Sequence, residues 1–229
     1  MRRIFVPTTG PNDWKWLLAD PETQWVPGYS AKELAECWER AVGFPQEISR
    51  LFLESGISSF RKVELLLAFP EFQVKLPGGR KASQNDLFIL AKDLGGNLIA
   101  ITVEGKVQEP FGETLDEWLK DSSEGKKKRL EFIIKKLGLS EELPSHIRYQ
   151  LLHRTASAVI EANRFNAMKA VMIVHSFSQD YQWFDDYQRF CELFGAQGLK
   201  DKLVFLKQTQ GVELYCGWAK GIATAKTDA

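Results

Sequence analysis

Three charged residues in an otherwise apolar stretch have the types and spacing to do chemistry together: Asp86, Glu104 and Lys106. They lie in SQNDLFILAKDLGGNLIAITVEGKVQ, residues 83–108. Its apolar runs Leu87–Ala91 and Leu98–Val103 flank the turn-forming cluster Asp93-Leu94-Gly95-Gly96-Asn97, the pattern of a buried β-hairpin. In such a hairpin the start of one strand lies beside the end of the other, which brings Asp86 close to Glu104. Side chains alternate faces, so Glu104 and Lys106 point the same way across Gly105. Two carboxylates and an ammonium converging on apolar strands are costly unless they pair or hold a cation. Oxygen ligands of this kind suit Mg²⁺ (or Mn²⁺) together with waters and substrate phosphates. Lys106 would then orient or activate a water, or stabilise charge developing on a phosphate. The competing expectation is a structural ion pair, because such networks also gather charge.

The flanking chain must position these groups. Ser30 and Glu33 have capping-box spacing ahead of Leu34, Cys37, Trp38 and Ala41, and a second short helix is expected over Glu47–Glu54. Val63, Leu66 and Leu67 share one helical face, so Phe60–Phe69 reads as a helix ended by Pro70. A strand over Phe72–Leu76 follows. Arg80 and Lys81 sit in the loop ahead of Asp86, a basic setting that suits phosphate, and Ser83-Gln84-Asn85 adds polar side chains at the mouth of the site. Gln108 shares the face of Glu104 and Lys106 if that strand persists. Downstream come a short helix over Glu113–Lys120, a basic amphipathic helix over Glu124–Leu137 carrying Lys127 and Lys128, and a long helix over His146–Phe165. Gln150 and Arg154 are four apart on the long helix and share a face. An arginine there would grip a phosphate or pair with Glu104 or Asp86. AVMIVH, Ala170–His175, reads as a fourth core strand beside the hairpin. Tyr181–Phe194 reads as an aromatic helix belonging to a core or a dimer interface, and Leu203–Leu206 and Val212–Trp218 as closing strands.

An aspartate, a hairpin and then Glu-x-Lys resembles the PD-(D/E)XK nuclease superfamily, the restriction-endonuclease-like fold. Asn85, not Pro, precedes Asp86, a departure at a position that varies in the superfamily. The resemblance covers roughly residues 58–177 and implies an αβββαβ core in a mixed α/β (α+β) sheet. It also implies that Asp86 and Glu104 bind Mg²⁺ and that Glu64, on the helix before the first core strand, completes the shell. The Gln150 helix loosely resembles the RecB-like branch, although Arg154 stands where that branch has Tyr. The resemblance implies phosphodiester hydrolysis in DNA or RNA, with Lys106 acting on the attacking water. Gln108, Gln150 and Arg154 would then tune or contact the phosphate.

Composition sets limits on this expectation. Thirty basic and thirty acidic residues leave a formal net charge of zero, which counts against a protein held on nucleic acid mainly by phosphate contacts. Arg80, Lys81, Lys127 and Lys128 are the local basic residues available for that purpose. Cys37, Cys191 and Cys216 are odd in number and lack metal-ligand spacing, so reduced thiols and a cytoplasmic setting are expected. No apolar run approaches a membrane span. The expected organisation is an N-terminal arm with helices (1–57), a core (58–177), a C-terminal helix with closing strands (178–222) and a disordered tail (223–229). A second function class keeps the fold without the chemistry: a silent scaffold or interaction module, homodimeric through its aromatic helix.

Overall fold

The computed structural model describes Ile4 and residues 8–223. Ile4-Phe5-Val6 reads in the sequence as a short strand, of which Phe5 and Val6 lie outside the described residues, as do residues 224–229 of the expected disordered tail. Ile4 makes an isolated parallel bridge to Ala68.

A six-stranded mixed sheet forms the centre, in spatial order β1-β2-β3-β4-β6-β5. In chain order the helices are α1 (Pro21–Gln24), α2 (Ser30–Arg40), α3 (Gln46–Leu53), α4 (Leu115–Leu119), α5 (Glu124–Leu137), α6 (Tyr149–Arg164) and α7 (Phe184–Glu192). The strands are β1 (Glu64–Val74), β2 (Ser83–Lys92), β3 (Leu98–Lys106), β4 (Lys169–Ser176), β5 (Leu203–Thr209) and β6 (Val212–Lys220). Strands β1, β2 and β3 form an antiparallel meander, β4 lies parallel to both β3 and β6, and β5 closes the far edge antiparallel to β6. The fold is thus the mixed α/β arrangement expected from the sequence.

The hairpin forms for local reasons. Asp93 accepts from the backbone N–H of Asn97 at 2.9 Å, and Gly96 supplies the left-handed backbone (φ 83°) that closes the turn. Strand β4 is buried on both faces, as a central parallel strand should be. Its alternation divides the core. Phe88, Ala100 and Met172 pack beneath α5 and α6, and Ile89, Ile101, Val171 and Ile173 pack against α2 and α3. The β3–β4 register places Glu104 opposite Val174, Gly105 opposite His175 and Lys106 opposite Ser176.

Two expectations are corrected, and a third is narrowed to one of its alternatives. Phe60–Phe69 is not a helix: β1 starts at Glu64 and runs through Pro70 to Val74. Among the described residues β1 is the edge strand of the sheet, laddered to β2 on one side and touched by the single Ile4 bridge at Ala68 on the other, a setting that accommodates Pro70. Ser30 does not cap α2; the cap position is Tyr29, and Glu33 accepts from Gly28 N–H at 3.3 Å instead. The aromatic stripe of α7 is internal, with Phe184, Tyr187 and Phe190 buried and the Tyr187 ring 5.5 Å from that of Trp218.

Candidate functional site

The site lies where β2 begins and β3 and β4 end, beneath α6. Because Leu87 pairs with Val103, the next step of the ladder sets Asp86 beside Glu104 on the α6 side. Thr102, on that same face, donates to the Arg154 carbonyl at 3.1 Å and pins the middle of α6 to β3. Gln150 and Arg154, one turn apart, both line the resulting cavity.

That cavity measures about 370 Å³, within the usual range for ligand sites. Its polar lining is Glu71, Asp86, Glu104, Lys106, Glu109, Gln150 and Arg154. The N-terminal arm walls the other side through Leu18, Gln24, Tyr29 and Ser30. Glu104, Lys106 and Arg154 are only 2, 3 and 8 % exposed, so their charges are held by one another rather than by bulk water. Lys106 Nζ donates to Glu104 Oε1 at 2.7 Å, and Arg154 Nε donates to Glu104 Oε2 at 2.5 Å. Arg154 Nη2 stands 3.8 Å from Asp86 Oδ1, while Asp86 Oδ2 accepts from Gly105 N–H at 2.8 Å. Ser83 Oγ accepts from Arg154 Nη1 at 3.5 Å and lies 2.8 Å from His153 Nδ1 and 2.9 Å from Ser157 Oγ.

The electrostatics separate the carboxylates. Glu104 is buried, yet the Arg154 and Lys106 charges hold it below the ordinary range. Burial, reinforced by the Glu104 charge, pushes Asp86 up to about 7. Glu71 is pushed up to about 8 by burial and by the Asp86 charge. Burial beside Arg154 and Arg129 keeps His153 well below its usual value.

The trio Asp86, Glu104 and Lys106 therefore meets, joined by Gln150 and Arg154. Glu64 does not. It pairs with Lys92 across the opposite end of the β1–β2 ladder, with Oε2 3.0 Å from Lys92 Nζ. The third carboxylate is Glu71, on a β1 residue with left-handed backbone (φ 52°), where it accepts from Gln84 Nε2 at 2.8 Å. No periodicity announces such a residue; the Pro70-Glu71 pair inside a strand-like run was the available sign of an irregular edge. Gln108 is also displaced, because β3 ends at Lys106 and Gln108 is exposed in the following bend. Glu109 lines the cavity in its place and accepts from Ser30 N–H at 3.1 Å. Arg80 and Lys81 are exposed outside the cavity, as are Lys127 and Lys128, and Lys127 is paired with Glu124 at 2.9 Å. Loop and helix nevertheless form one surface, since Arg129 donates to the carbonyls of Pro77 and Lys81 at 2.9 and 2.8 Å.

Residues 7–223 match the model of a domain of unknown function, DUF6946. The chain belongs to that family. No curated protein and no solved structure matches it. Asp86 and Glu71 offer hard carboxylate oxygens, and Gln150 Oε1 is buried with no hydrogen-bond partner among the described residues. An oxygen-only donor set of this kind fits Mg²⁺ or Mn²⁺.

A second polar cluster lies on the other sheet face, at the same end. Cys37, Glu47 and His175 place one potential ligand atom each within 4.8 Å of one another. Trp38 Nε1–H donates to His175 Nδ1 at 3.1 Å, and His175 Nε2 lies 2.8 Å from Glu47 Oε1, so both ring nitrogens are engaged. Among the described residues, no helix is long and apolar enough to cross a membrane.

Proposed function

We propose that this DUF6946 domain is a metal-dependent phosphodiesterase acting on DNA or RNA, a nuclease of the kind that the Asp…Glu-x-Lys pattern of the PD-(D/E)XK superfamily implies. The observation that carries the proposal is the convergence of Glu71, Asp86, Glu104, Lys106, Gln150 and Arg154 on one cavity. The order of meander, α6 and then a strand parallel to β3 supports it too, although fold alone does not certify activity.

Asp86 and Glu71, with Gln150, would hold the ion, and Glu104 would complete the set. Bound Mg²⁺ supplies Lewis acidity toward a phosphoryl oxygen and toward the attacking water. Lys106, anchored to Glu104, orients that water for in-line attack on phosphorus and places a positive charge beside the phosphoryl oxygens. Arg154 offers the fork geometry that grips a phosphate. The arm from Leu18 to Ser30 restricts bulk water on one side.

The test is a Mn²⁺ titration followed by cleavage assays on duplex DNA, single-stranded DNA and RNA. Binding and cleavage that both vanish in Glu104→Gln support the proposal. A chain that binds no divalent ion and cuts none of these polymers overturns it and leaves the silent-module reading. With its aromatic stripe packed inside the chain, a dimer of that module would need another face.

A further inference from the structure

The guanidinium of Arg154 stands between the carboxylates of Glu104 and Asp86. It contacts Glu104 at 2.5 Å, approaches Asp86 to 3.8 Å and touches Ser83 at 3.5 Å. The second oxygen of Glu104 belongs to Lys106 at 2.7 Å. Both Glu104 oxygens thus already have a cationic donor, and an ion approaching that carboxylate meets two positive charges, a repulsion relieved when one donor yields. Lys106 is the worse candidate to move. It lies on the same strand as Glu104, two residues on, and its ammonium rests 5.1 Å from the Phe111 ring centroid. Arg154 is tethered at its backbone by Thr102, but its long side chain pivots from a helix. Its 3.8 Å approach to Asp86 is an ion pair without a hydrogen bond.

Charge and donor counts agree. Glu71, Asp86, Glu104 and Glu109 outnumber Lys106 and Arg154 in the lining, and Glu109 is engaged by the backbone N–H groups of Ser30, Val107 and Gln108. A divalent cation in place of the guanidinium brings one more positive charge to that carboxylate-rich lining. Gln150 Oε1, one turn before Arg154 and lining the same cavity, is a buried acceptor with no donor among the described residues. Such an orphan is costly, and a cation would satisfy it where the present network does not.

We propose that Arg154 is a resident counter-ion of this site, exchanged for a divalent cation when one binds and then released toward an anionic group of the substrate. The proposal rests on the metal-site reading above and adds the order of events: the ion enters by competing with a side chain of the protein. The sign of one measurement decides it. Mn²⁺ affinity, measured by calorimetry at fixed ionic strength, should rise about tenfold in Arg154→Gln, the scale of a typical coupling between linked sites. Unchanged or weaker binding in that variant overturns the exchange, because it makes Arg154 a support for the ligands rather than their competitor. A measurement on the unaltered chain stands beside it. The ¹⁵N–¹H resonance of Arg154 Nε should shift as diamagnetic Mg²⁺ saturates the site, and saturation that leaves it in place overturns the exchange. If neither protein binds Mn²⁺, the metal-site reading itself falls. If both bind and only the exchange signatures are missing, that reading survives and this inference does not.

Discussion

Trp38 donates its indole N–H to Nδ1 of His175 at 3.1 Å, and this single bond sets the tautomer of a buried imidazole. An indole nitrogen only donates, so Nδ1 must accept, and the ring proton resides on Nε2, facing Glu47 at 2.8 Å. Cys37 donates its thiol to the same Glu47 oxygen at 3.4 Å. The cluster is therefore a closed hydrogen-bond network despite its metal-like composition. Trp38→Phe removes that constraint, so Nδ1 can carry the proton when a metal takes Nε2. Zinc affinity should then rise about tenfold over the unaltered chain, the scale on which outer contacts tune metal sites. Equal zinc affinity in a competition titration would show that the indole is not what excludes the metal.

Glu47 on one face of the sheet and the Asp86–Glu71 pair on the other respond to pH in opposite directions. Burial pushes Glu47 upward, but hydrogen bonds from His175 and Cys37 outweigh it and hold the carboxyl at about 2, against an ordinary value of 4.5. Its folded value is depressed, so its stabilisation is present above the ordinary value and lost as pH falls toward 2. Asp86 and Glu71 are raised, to about 7 and about 8. The folded chain then binds more protons than the unfolded one across the interval from their ordinary values to pH 8, and stability declines as pH rises through it. In chelator, the melting temperature should peak in mildly acidic buffer. Glu71→Gln should flatten the alkaline arm and Glu47→Gln the acid arm. A curve that keeps rising to pH 8 contradicts the assignment.

Glu104 and Glu64 should behave very differently when neutralised. Glu104→Gln leaves Lys106 and Arg154 buried without their anion, and urea unfolding should show a loss of about 3 kcal/mol. Glu64 pairs with Lys92 where both side chains are more than two-fifths exposed. Glu64→Gln should cost a few tenths of a kcal/mol, the worth of a surface pair, and leave Mn²⁺ binding unchanged. Comparable losses from the two substitutions would place the charge centre elsewhere.

Gly125, in the first turn of α5, presses on the β1–β2 loop: a Cβ built there falls 2.3 Å from the Gly78 carbonyl oxygen. At an exposed helical position Gly→Ala is worth about 1 kcal/mol of stability. Gly125→Ala should do the reverse and cost about 1–3 kcal/mol, as overpacking does. A higher melting temperature for the variant would mean that the loop moves aside freely.

Much of this layout was legible in the sequence because it follows from period and turn chemistry. The hairpin carrying Asp86, Glu104 and Lys106 announces itself through two apolar runs around Asp93–Asn97, and α5 was expected with the bounds it has, Glu124–Leu137. Gln150 and Arg154 followed from four-residue spacing. The first strand was hidden. A register shift between Leu65 and Leu67 breaks its alternation and leaves Val63, Leu66 and Leu67 spaced like a helical face. Pro70 then resembled a helix stop, although an edge strand tolerates it. That one misreading displaced the third carboxylate from Glu71 to Glu64. Gln108 was misplaced for a simpler reason: extrapolating alternation past Lys106 assumes a strand that has ended.

The pairing of Gly105 with His175 sets two unlike polar assemblies back to back on one stretch of parallel ladder. Glu104 and Lys106 project toward α6, and the imidazole of His175 projects toward α2 and α3, so the same few peptide groups seat both. A backbone adjustment on one side should therefore reach the tryptophan-locked imidazole on the other. Substitutions at Glu104 and His175 should accordingly fail to add, with an interaction of at least about 0.5 kcal/mol in a double-mutant cycle. In this fold one stretch of ladder is the shared wall of both clusters.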